Sequence, residues 1–127
     1  PVDFDELSKV GSMMGSGGMI VMDEKTCMVN MAKYFVTFLE GESCGKCVPC
    51  REGLQHMREI LTDITEGRGK MSHLKLLEEL SATLQSASLC ALGQQAPNPV
   101  LSMLKHFRDE YVEHIKNKKC PAGVCKL

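Results

Sequence analysis

Three cysteines at an even spacing of three, Cys44, Cys47 and Cys50 in ESCGKCVPCREG, constrain this chain more than any other feature. A C-x2-C-x2-C loop brings three thiols toward one point, which is a poor way to fill an apolar core and an effective way to begin a metal site. The chain has seven cysteines in 127 residues, an odd count, and no recognisable secretion signal, so they read as reduced thiolates rather than disulfides. Three thiolates leave a four-coordinate site one ligand short. Cys90, in SASLCALGQ, is the candidate fourth because it follows a helical segment that can return to the level of the loop in an antiparallel arrangement.

Zinc commonly takes four thiolates as two C-x2-C pairs. A run of three with a remote fourth suits a 4Fe-4S cube better, since one loop can reach three corners. Spacing therefore favours a 4Fe-4S cluster held by Cys44, Cys47, Cys50 and Cys90, with zinc as the rival metal. The neighbouring residues fit a centre of net negative charge. Pro49 suits the first turn of a helix whose free N–H groups would face that charge, Gly45 allows close backbone approach, and Lys46 and Arg51 add cations. Ordinary surface charge is the plain reading of Lys46 and Arg51.

The rest of the pattern is mainly α. Residues 1–22 hold a short helix, DFDELSKVG, and a glycine turn leading to a short strand, GSGGMIVM. From residue 23 the periodicity becomes helical. A first helix over about 25–40 carries Asn30, Lys33, Thr37 and Glu40 as one polar stripe and should be almost enclosed. A second, about 49–66, turns Leu54, Met57, Ile60, Leu61 and Ile64 inward and stops at the glycines of EGRGK. A third begins near Ser72, presents Leu74, Leu77, Leu80 and Leu84, and runs toward Gly93. A fourth begins at Asn98-Pro99 and continues to about 118 with Leu101, Leu104, Phe107, Tyr111 and Ile115 inward. Short connections predict a four-helix up-and-down bundle over 23–118 with the cluster at one end. The nine methionines read as fillers of its core.

Cys27, Cys120 and Cys125 are left over. Buried or linker thiols are one reading; three ligands of a second metal are the other. With a histidine they would close a zinc site. On the fourth helix His106 falls opposite the apolar face, whereas His114 lies on its flank, six residues before Cys120. The metal reading is a structural zinc on Cys27, His114, Cys120 and Cys125, joining the start of the first helix to the end of the fourth. His56 and His73 read as exposed or edge-of-core helix residues.

Charge and hydropathy remove other classes. Fifteen basic and sixteen acidic residues are interspersed for a formal charge of -1, so no field favours nucleic acid. No apolar run approaches the roughly 20 residues of a membrane span. The expectation is a soluble, cytoplasmic domain. No cysteine is paired with a base and an orienting acid in a recognisable pattern, so thiol catalysis is not indicated.

With these residues in place, the chain resembles the C-terminal region of the flavoprotein subunit of NADH dehydrogenases. GSGGMIVMD is similar to the end of that family's β-grasp (SLBB-type) domain, and ESCGKCVPCREG and SLCALGQQAPNPV to its cluster-binding motifs. The resemblance implies one 4Fe-4S cluster on Cys44, Cys47, Cys50 and Cys90. It also implies single electrons arriving from an FMN reduced by NADH, and onward transfer to other iron-sulfur subunits of a multi-subunit complex. The FMN and NADH sites belong to an N-terminal glycine-rich domain absent from this sequence, so the chain alone is not expected to oxidise NADH. CPAGVCKL, residues 120–127, resembles the junction to a ferredoxin-like domain in NAD(P)-linked or electron-bifurcating hydrogenase subunits. Residues 119–127 then read as a linker and hinge, and the hydrogenase type is favoured. The reading from another class is a zinc-stabilised helical interaction module without a redox role.

Overall fold

The computed structural model describes residues 1–127 and is mainly helical. The helix expected first in the chain is α1, Phe4–Lys9, with Asp3 as N-cap accepting from the Glu6 N–H at 2.8 Å. No residue of α1 is buried. The strand expected in GSGGMIVM does not form. Met19, Ile20 and Val21 stand 85%, 64% and 83% exposed, and no other segment is extended beside them to complete a ladder.

The helices that build the core follow the sequence periodicity within a few residues. They are α2, Met28–Glu42; α3, Val48–Thr65; α4, Met71–Ala87; α5, Ala91–Gln95; and α6, Asn98–His106. Helix α2 packs on α3, α3 on α4, and α6 against both α2 and α4. Leu54, Met57, Leu61, Leu77, Leu84 and Val100 are fully enclosed between them. Burying each such side chain contributes about 1.5–3 kcal/mol, which is what holds helices of this length in place. Close approach of α3 and α4 requires Gly53, where a Cβ would lie only 2.2 Å from Leu84 Cδ1.

Two expectations about the helices are corrected. Helix α2 is not almost enclosed. Its buried face is Met28, Val29, Ala32 and Val36, while Tyr34 and Phe38 point outward at 61% and 57% exposure. The fourth segment is not one continuous helix either. It breaks at Phe107, whose φ of -128° and ψ of 31° leave helical geometry, and Phe107 faces outward rather than inward. Helix α7, Arg108–Val112, resumes and widens into a π-helical turn, Glu113–Asn117, that ends at Lys118 in a left-handed conformation, φ 50°. Gly93, expected as a stop, lies buried inside α5.

The end of α2, the start of α3 and the α4–α5 turn meet at one end of this assembly. At the other end the α2 start meets α7 through the Met28 N–H, which donates to Glu110 Oε2 at 3.0 Å. The tail from Lys118 folds back there, with Lys118 Nζ donating to the Gly69 carbonyl at 3.5 Å.

Candidate metal centres

Helix α2 ends at Ser43, whose backbone N–H bonds to the Glu40 carbonyl, and the next residues form the cysteine loop. Gly45 makes the turn with φ +71°, a region that costs other L residues roughly 1–2 kcal/mol. Its N–H donates to Ser43 Oγ at 3.2 Å, and its carbonyl accepts from Arg51 Nη1 at 2.6 Å. Helix α3 then begins at Val48 with Cys47 as N-cap and Pro49 in the first turn, where a missing N–H is harmless. Cys50 follows on the inner side of that turn and is buried.

Cys90 reaches the same place from the turn between α4 and α5. It caps α5 at its N-terminus, immediately after α4. Cys44, Cys47, Cys50 and Cys90 line one cavity of about 100 Å³, with Glu42, Ser43, Lys46 and Leu92 completing its wall. Cys44 and Cys90 are exposed, Cys47 is half-buried and Cys50 is buried, so the cavity opens on one side only. The backbone amides of Leu89 and then Cys50 favour the charged form of the Cys47 sulfur and hold its thiol below the ordinary range, the condition a thiolate ligand needs. Leu89 belongs to the Cys90 turn, so the two halves of the site act on the same sulfur. Four sulfur donors around one small cavity, with backbone amides that favour the thiolate at Cys47, fit a 4Fe-4S cube. Lys46 stands exposed at the cavity rim. The Arg51 guanidinium is engaged with the Gly45 carbonyl and with Glu52 Oε1 at 3.1 Å, and its charge still helps to lower the Cys47 thiol.

The left-over cysteines also meet. Cys27, His114, Cys120 and Cys125 bring four ligand atoms within 4.8 Å of one another. Cys27 Sγ lies 3.4 Å from His114 Nε2 and 3.6 Å from Cys125 Sγ. Metal–ligand bonds of about 2.0–2.3 Å in a tetrahedron give ligand–ligand edges of roughly 3.5–3.8 Å, close to these values. His114 Nδ1 lies 2.7 Å from the Glu110 carbonyl oxygen, which can only accept. That bond puts the ring proton on Nδ1 and leaves the Nε2 lone pair facing the thiols. Cys27 also caps α2 by accepting the Asn30 N–H at 3.4 Å. Burial pushes the Cys27 thiol far up. At Cys120 burial works in the same direction but is outweighed by the N–H groups of Cys125 and Val124 and by the two neighbouring thiols, which bring it down to about 6.

His106 is exposed, and His56 pairs with Glu59 at 3.4 Å on the surface. His73 Nδ1 accepts the Lys70 N–H at 3.3 Å in the first turn of α4. Sequence reasoning missed three hydroxyls beside the thiols. Ser43 Oγ lies 3.3 Å from Cys50 Sγ, and the buried hydroxyls of Ser88 and Tyr111 have no hydrogen-bond partner. A serine directly before Cys44 and another two residues before Cys90 were the available signal.

A helical scaffold that presents four thiols around one cavity at one end defines a cysteine-ligated metal-centre domain. Residues 30–114 match one such family over two thirds of the chain, and the protein belongs to it: the NADH-ubiquinone oxidoreductase-F iron-sulfur binding region. Among similar proteins, the NADP-reducing hydrogenase subunit HndC of Solidesulfovibrio fructosivorans is 49% identical over 124 residues, covering 98% of this chain and 25% of that protein. An F subunit of the NADH-quinone oxidoreductase of Rhizobium meliloti (strain 1021) is 45% identical over 120 residues, covering 94% of this chain and 28% of that protein. A solved NAD+-reducing [NiFe]-hydrogenase in the H2-reduced state contains a chain that superimposes with a TM-score of 0.72 at 31% identity, over 76% of this chain and 17% of that one. The chain thus spans about a quarter of the length of the curated relatives it matches.

Proposed function

We propose that the chain is a one-electron relay domain, with Cys44, Cys47, Cys50 and Cys90 holding a single 4Fe-4S cluster at one end of a four-helix bundle formed by α2, α3, α4 and the α6–α7 arm. The observation that carries this reading is the convergence of four thiols from two distant segments on one cavity. The cluster supplies reversible uptake of one electron. The protein's part is to hold the sulfurs and direct backbone N–H groups at them. Gly45 and Pro49 shape the loop for this, Arg51 braces it, Lys46 adds charge at the rim, and the helices keep water from the buried side. Residues 1–22 would be the end of a β-grasp domain. By the family resemblance, the electrons would derive from NAD(P)H through an FMN in a preceding domain and pass to other iron-sulfur subunits of a cytoplasmic complex. No helix here is long and apolar enough to cross a membrane.

The second thiol group supports a structural zinc on Cys27, His114, Cys120 and Cys125, because a buried histidine with a fixed tautomer facing three thiols matches a closed zinc site. It would pin the 119–127 segment to the start of α2.

Anaerobic purification tests both. A brown protein that bleaches with dithionite and gives an EPR signal when reduced is the expected result. A colourless protein containing only zinc would replace the relay by a zinc-stabilised interaction module. Iron without stoichiometric zinc would remove the second metal.

A further inference from the structure

Cys50 is the most buried of the four cavity-lining thiols, with the Ser43 hydroxyl against its sulfur and the Ser88 hydroxyl on the other side of Gly93. Ser43 Oγ lies 3.3 Å from Cys50 Sγ and accepts the Gly45 N–H at 3.2 Å. With its oxygen so engaged, its proton remains to be given away, and a cysteine that binds metal is a thiolate, which can only accept. Ser43 is therefore the donor once Cys50 is a ligand. Ser88 comes from the α4–α5 turn. Its backbone is satisfied, with its N–H on the Leu84 carbonyl at 3.1 Å and its own carbonyl accepting Gln94 Nε2 at 3.0 Å. Its hydroxyl is buried and has no partner. An orphaned buried hydroxyl costs about 1–3 kcal/mol, so one retained beside a ligand site points to a partner that arrives with the ligand. Only Gly93 stands between Ser88 and Cys50: a Cβ there would lie 2.5 Å from Ser88 Oγ and 3.0 Å from Cys50 Cβ.

We propose that Ser43 and Ser88 are positioning residues that donate hydrogen bonds to sulfur at the Cys50 corner of the cluster and raise its reduction potential. This rests on the cluster reading above. Reduction adds one negative charge to the cluster, and a donor aimed at sulfur stabilises the reduced form more than the oxidised one. Cys44 and Cys90, at the open side, meet water, which reorients freely. The hydroxyls at Cys50 are fixed, so they bias the couple persistently.

The test uses the full chain with its cluster reconstituted, comparing wild type, Ser43→Ala, Ser88→Ala and Ser43→Thr. Iron and sulfide content are measured first, because loss of the cluster from wild type would overturn the relay reading rather than this one. With the cluster present, each alanine variant should lower the midpoint potential by the equivalent of about a tenfold change in the reduction equilibrium, about 59 mV for a one-electron couple. Ser43→Thr, which keeps the hydroxyl, should restore it. Cluster-loaded alanine variants with wild-type potentials would overturn the proposal. If an alanine variant fails to hold a cluster, pulsed EPR on reduced wild type exchanged into deuterium oxide decides. Strongly coupled exchangeable deuterons that persist in Ser43→Thr and are lost in whichever alanine variant keeps its cluster support the donors; none coupled above the solvent background overturns them.

Discussion

Arg51 Nη1 donates to the Gly45 carbonyl at 2.6 Å, so the first turn of α3 clasps the loop that precedes it. A side chain that looks from the sequence like a cation aimed at a cluster also works as a brace, while its charge still favours the Cys47 thiolate. Arg51→Ala should leave the helices folded and lower the iron content recovered on reconstitution. The bond lies at the surface, so the loss in stability should stay at about 1 kcal/mol or below. Far-UV circular dichroism and an iron assay check the two halves separately. Unchanged iron loading would show that the loop holds its shape without the brace.

Cys90 should be indispensable although it lies far from the loop in sequence. Cys90→Ser is expected to lose or degrade the cluster, read as lost absorbance and an altered EPR signal. Cys27, the spare ligand that sequence reasoning ranks next, cannot stand in. It caps the opposite end of α2, a helix of 15 residues or about 22 Å. Full iron content in Cys90→Ser would mean that the fourth thiol is not needed.

Gly93 separates Ser88 from Cys50, and a methyl group there collides with both. Gly93→Ala should destabilise the fold by about 1–3 kcal/mol, as overpacking of tight sites does. The measurement is the chemical denaturation midpoint, compared before and after cluster reconstitution. A wild-type midpoint would show that the α5 turn yields readily.

Removing the second metal should loosen the tail without touching the iron. His114→Ala is expected to purify without zinc, retain its iron, and expose the 118–127 segment to protease faster than wild type. Metal that binds only the folded form stabilises it by about 4 kcal/mol at a thousandfold excess over its dissociation constant, so zinc-chelated wild type should melt lower as well. Elemental analysis with a thermal melt reads both. Loss of iron together with zinc would tie the two groups together.

What could be read from the sequence was whatever leaves a spacing. Cys44, Cys47 and Cys50 announce their convergence because three identical ligands three residues apart have few other uses, and the cavity brings them to Cys90 as that spacing suggests. His114 was separable from His106 by helical phase, and it is buried whereas His106 is exposed. The strand in GSGGMIVM was not legible, because a strand needs a neighbour and alternation alone does not supply one. The break at Phe107 was not legible either, since Leu104 and Tyr111 keep the apolar rhythm across it. The roles of Ser43 and Ser88 escaped because a hydroxyl beside a sulfur is a matter of three-dimensional approach, and serine is common on any helix end.

Helix α2 starts at a cysteine of one thiol group and ends at a serine that touches the other. The two groups therefore share a single axle, and their mutual orientation is a property of its phase. Substitutions along its outward side, at Tyr34 or Thr37, leave that phase alone. Inserting or deleting one residue anywhere in Met28–Glu42 would turn one group by about 100° relative to the other. The length of α2, more than its composition, is what this architecture cannot give up.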